Sequence, residues 1–150
     1  MRRPASAELL RNALDQLEAS IGWLERSYAQ CEAIGIKAQY MADEYDRYEN
    51  LTSRYARVAD LIVHKVLRSI DSVELIESGT LIDTANRAVS RGFVDSVETL
   101  RGYKDLRNDI AHEYQTDDLA ELFSDVLRIT PELLSLARTV LSYGRTLLEE

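Results

Sequence analysis

From Met41 to Val73 the chain sets Met41, Tyr45, Tyr48, Thr52, Tyr55, Ala59, Ile62, Val66, Ile70 and Val73 in steps of three and four, with no glycine or proline between Gly35 and Gly79. Only an α-helix returns residues at that spacing to one face, so the stretch is constrained to a long rod burying a narrow seam. Continued toward Gly79, it predicts a helix of roughly forty residues reaching about 60 Å. That exceeds the width of a 150-residue globule, so the rod either bends or projects toward a partner subunit.

The same period recurs elsewhere. Leu10, Leu14, Leu17, Ile21, Leu24, Tyr28 and Cys31 give a first helix that Gly35 ends. Thr80 is the predicted N-cap of a short helix over 81–91, and Gly92 its stop. A fourth helix runs from about Ser96 to Tyr114 and buries Val97, Leu100, Tyr103 and Ile110. Thr116 and Asp117 read as turn and cap before Leu119, Leu122, Phe123 and Val126. Thr130-Pro131 restarts a last helix lined by Leu133, Leu136, Val140 and Leu147, because proline suits the first helical position. Two prolines and six glycines leave no room for many short strands, and no repeat or linker divides the chain. Residues 1–150 read as a single all-α domain, an up-and-down helical bundle of four to six helices.

A hydrophobic content of 45% supplies a core without disulfides or metal. The lone Cys31 fits a reducing cytosol and belongs in the core. MRRPASAELL has no apolar segment after its arginines, and no run of about eighteen apolar residues occurs, so the expected location is cytoplasmic, with no membrane partner. A net charge of −8 opposes indiscriminate nucleic-acid binding, and an RNA function then needs a local basic surface. Residues 51–70 offer one, with Arg54, Arg57, Lys65 and Arg68 against Asp60 alone; the plain reading is a solvated helix face.

The segment able to carry chemistry is Arg107 to Tyr114. At about 100° per residue, Asn108 and His112 lie about 40° apart, Arg107 about 100° from Asn108, and Tyr114 close to the Arg107 line. An imidazole that titrates near neutrality, a guanidinium fork and an amide can thus border one cleft. These are parts for cutting RNA without metal: a base removes the ribose 2′-hydroxyl proton, the oxyanion attacks phosphorus, and a cation steadies the charge on the nonbridging oxygens. The competing reading is structural, with Arg107 paired to a carboxylate, His112 hydrogen-bonded near a helix C-terminus and Tyr114 packed.

The stretch LRNDIAHEY, followed by a polar turn and the apolar helix from Leu119, resembles the signature of HEPN-domain proteins. It is most similar to the HepT-like ribonuclease toxins, whose pattern is arginine, four residues, histidine, one residue, tyrosine. Arg107, His112 and Tyr114 match the fixed positions, and Asn108 matches the usual polar residue after the arginine. The resemblance implies an endoribonuclease toxin, a homodimer whose two Arg-His sets share an RNA cleft. It further implies an MntA-type nucleotidyltransferase antitoxin that inhibits the toxin by AMP transfer (AMPylation) to Tyr114. The alternative among HEPN relatives is a non-catalytic substrate-binding or partner subunit of a nucleotidyltransferase.

Other residues read more plainly. His64 is a surface or packed histidine, and Tyr40, Tyr45, Tyr48 and Tyr55, although able to stack on bases, fall at core or dimer-seam spacing. Trp23 lies off the first seam and marks an interface, where aromatics are enriched. Two distant histidines without an HxxxH pair give no metal site, and no cofactor is implied.

Overall fold

A computed structural model of the chain describes residues 4–77, 79–113 and 119–150. These residues form an all-helical bundle without strands, as the spacing predicts: α1 (Pro4–Ile34), α2 (Ala42–Asp60), a π-helical segment (Leu61–Val66), α3 (Leu67–Val73), α4 (Leu81–Ser90), α5 (Val97–Glu113) and α6 (Leu119–Glu149).

The first helix ends where expected. Gly35 takes a φ of 79°, and its amide donates to the Cys31 carbonyl at 2.9 Å, the left-handed closure that glycine adopts without a Cβ clash. The Tyr48 hydroxyl donates to the Gly35 carbonyl at 2.7 Å, fixing this helix end to the next rod.

The α2, π and α3 segments run on from one another as a single rod from Ala42 to Val73, shorter than the expected forty residues. Its start is held by Glu44, whose carboxylate accepts from the Met41 amide at 3.0 Å. Beyond Val73, Leu75 adopts a φ of 62° and the Ile76 amide returns to the Asp71 carbonyl at 2.8 Å, which turns the chain before Gly79. Nor does the rod project into solvent. α1 is itself 31 residues long and packs along α2, the π segment and α3.

α4 has the predicted cap: the Asp83 amide donates to Thr80 Oγ1 at 3.2 Å, and the Thr80 amide to Asp83 Oδ2 at 3.0 Å. Gly92, at φ 81°, closes it. The Gly92 amide donates to Val89 and the Phe93 amide to Ala88, each at 2.9 Å, the paired bonds of a Schellman end. Buried Asp71 of α3 ion-pairs with Arg87 of α4 and with Arg91 just past its end, at 2.9 and 2.7 Å, and so fixes α4 against the rod.

One boundary differs from expectation. Pro131 does not restart a helix but lies inside the continuous α6. Proline removes one i−4 bond, a loss of about 3 kcal/mol in an exposed helix. Here the buried face Val126, Thr130, Leu133, Ala137, Val140 runs straight through the site, and Thr130 Oγ1 donates to the Val126 carbonyl at 2.6 Å. Packing on both sides outweighs the lost bond.

The core is one cluster. Phe123 of α6 stacks on Tyr48 with centroids 4.9 Å apart, and Tyr40 and Tyr45 meet its edge. Tyr48 and Tyr55 are fully buried, so the tyrosine seam is core, as its spacing indicates. Cys31 is buried as well, and loss of hydration raises its thiol pKa to about 11. Among the described residues no helix is long and apolar enough to cross a membrane.

Candidate functional site

α5 is oriented by Leu100, Tyr103, Leu106 and Ile110, which are buried against α2 and α6. That anchoring decides where the neighbouring polar residues go. Arg107, one position past Leu106, lies at the margin of the buried face and is half-buried, while Asn108 and His112 are exposed one turn apart. Tyr114, with Thr116 and Asp117, lies outside the described residues.

Arg107 reaches across to the last residue of α2. Its Nε donates to Asp60 Oδ1 at 2.8 Å and Oδ2 at 3.1 Å, with the two side chains 33% and 40% exposed. The hydrogen bond to Asp60, and then the carboxylate's charge, raise the Arg107 pKa above its already high ordinary value. Among the described residues the hydrogen bonds of this guanidinium run from Nε alone, which leaves its Nη donors able to meet a second acceptor. No hydrogen bond joins Arg107, Asn108 and His112 to one another among the described residues. The fold brings them to one end of α5 without locking them into a preformed relay.

The surface of α5 is divided lengthwise. Arg101 and Lys104 edge an apolar cleft of about 120 Å³ shared with Val63 of the π segment and Leu81 and Ile82 of α4. Asp105, which also borders that cleft, lines with Asp109, Asp125, Arg128 and Glu132 a groove of about 340 Å³ between α5 and α6.

Asp60 is the neighbour of Arg107 that motif reading does not supply. Its signal is nevertheless in the sequence, as the lone acid within the basic run 51–70. Pairing Arg107 with a carboxylate was also the specific expectation of the structural reading, and the fold meets that part of it. His112 differs from that reading, being exposed rather than hydrogen-bonded among the described residues. His64 is an exposed surface histidine on the π segment. Among the described residues no group of three or more His, Cys, Asp or Glu side chains is placed to hold a metal ion. No protein-family model, curated protein or solved structure matches this chain.

Proposed function

We propose that the chain is an endoribonuclease toxin of the HepT-like kind, acting without metal as a homodimer and restrained by a cognate nucleotidyltransferase antitoxin. The observation that carries this reading is the Arg-x4-His spacing on the exposed last turns of α5, with the guanidinium held by Asp60 at 2.8 Å and the imidazole open to solvent. His112 takes the 2′-hydroxyl proton, and the 2′-oxygen attacks the adjacent phosphorus. The 5′-oxygen leaves and accepts a proton, giving a 2′,3′-cyclic phosphate and a 5′-hydroxyl end. Arg107 steadies the charge that builds on the nonbridging oxygens, and Asn108 orients the imidazole or the phosphate. AMP on Tyr114, two residues after His112 in the sequence, adds a bulky anion that blocks RNA by volume and charge.

Growth of a bacterial host expressing the chain tests this. Wild type should arrest growth, whereas Arg107→Ala and His112→Ala should not; equal growth of all three overturns the nuclease reading. The lack of any hydrogen bond joining Arg107, Asn108 and His112 among the described residues favours one alternative, a non-catalytic substrate-binding or partner subunit of a nucleotidyltransferase in which the same motif grips a nucleotide instead of cutting RNA. Under it, all three chains permit growth.

A further inference from the structure

The chain is acidic overall, yet one face keeps its positive charge. Arg87, Arg91, Arg107, Arg128, Arg138 and Arg145 each have a carboxylate within 4.0 Å. Arg54, Arg57, Lys65 and Arg68 have no such ion pair among the described residues; Arg11, Arg26, Arg47, Arg101 and Lys104 also lack one, but only the first four follow one another along a single rod beside an exposed tryptophan. Arg54 and Lys65 bond neutral oxygens instead, Ser27 Oγ at 2.7 Å and Gln16 Oε1 at 2.9 Å. Arg54 and Lys65 thus lie along the α1 side of the rod; Arg57 and Lys65 are exposed, and Arg54 and Arg68 half-buried. The only carboxylate in this run, Asp60, is neutralised by Arg107.

Trp23 of α1 stands at the end of this stripe, and 56% of it is exposed. The Arg54 guanidinium lies 5.0 Å from the indole centroid, and its Nη1 donates to Ser27 Oγ, so the ring is braced rather than free to swing. Trp23, Arg54 and Arg57 line a groove of about 270 Å³ with the hydroxyls of Ser20 and Ser53.

We propose that this face is a track for single-stranded RNA: Trp23 stacks a base while Arg57, Lys65 and Arg68 hold backbone phosphates, leading the strand to Arg107 at Asp60. A braced, exposed indole beside unneutralised cations recognises a polymer with both π-faces and phosphates, and an acidic peptide offers only the charge. The choice of RNA among polyanions rests on the reading of the α5 motif; the track itself stands on the charge stripe and Trp23.

Trp23 is the only tryptophan, so indole emission reports on stacking at this position. An oligouridylate of about ten nucleotides, titrated into the full chain carrying His112→Ala, should quench the emission to saturation, with a midpoint that weakens steeply with salt. Arg57→Ala and Lys65→Gln, both at exposed positions, should each raise the midpoint about tenfold and flatten the salt dependence by roughly one phosphate contact. Polyglutamate should leave the emission unchanged. Absence of quenching, equal quenching by polyglutamate, or midpoints unmoved in both variants overturns the track. The growth assay reads separately: arrest by wild type without RNA quenching leaves the nuclease and removes the track, and quenching without arrest does the reverse.

Discussion

An arginine that steadies charge on a phosphate must be held in place without exhausting its donors, and Arg107 meets both conditions because Asp60 takes only Nε. With both side chains about a third or more exposed, the pair contributes under about 1 kcal/mol to folding. Its weight is positional. Asp60→Asn keeps the shape and an acceptor but removes the charge that aims the guanidinium. The expected outcome is an unchanged urea midpoint, tighter RNA binding because the stripe loses its one acid, and cleavage slowed about tenfold because the fork is no longer aimed. Quantitative binding and single-turnover cleavage on one RNA separate these effects. Equal losses in both would show Asp60 to be merely structural.

At the scale of elements, helix starts are set by carboxylates that reach back to open amides. Asp83 accepts from the Thr80 amide and then from its hydroxyl, and these bonds hold the carboxyl below the ordinary aspartate range. Glu44 is lowered in the same sense, first by Lys37 and then by the Met41 amide. A folded-state pKa below the unfolded value means stabilisation that is present above the unfolded pKa, about 4 for a carboxylate, and lost as pH falls through the depressed value. Asp83→Asn should therefore lower the urea midpoint at pH 7, and the gap from wild type should narrow progressively as pH falls below about 4. A gap unchanged at pH 3 would show that the charge of Asp83 is irrelevant to the cap. Pro131 shows the converse at this scale: a local stop signal is overridden when the buried face continues through it.

Across the whole molecule, the rod from Ala42 to Val73 is the spine against which α1, α5 and α6 pack, and Phe123 fills the space among the tyrosines at its start. Cys31 sits in the α1–α2 seam, its thiol donating to the Arg47 carbonyl at 3.4 Å. Burial first of all raises its pKa to about 11, partly opposed by Arg47, so at pH 8 the thiol is protonated and shielded. A thiol-reactive dye should label Cys31 only as fast as the bundle unfolds, with a rate that climbs steeply with urea. Fast labelling without urea would reveal that α1 separates from α2 while the rest stays folded.

Periodicity by itself determined the all-helical class, the tyrosine core, the Thr80 cap and the stops at Gly35 and Gly92, because each depends on residues within a turn or two of one another. The placement of Arg107, Asn108 and His112 on adjoining lines of one helix was equally legible, while Tyr114 lies outside the described residues. What only the tertiary structure decided were contacts between segments distant in sequence. Asp60 and Arg107 meet because Leu106 and Ile110 are buried and turn α5 toward α2. Asp71 reaches Arg87 and Arg91 because the chain turns back at Leu75. The rod is covered because α1 matches its length, and α6 passes through Pro131 because the core lies on both sides of it. Local spacing fixes which face a residue occupies; which partner that face meets is set by packing free energy summed over the whole bundle.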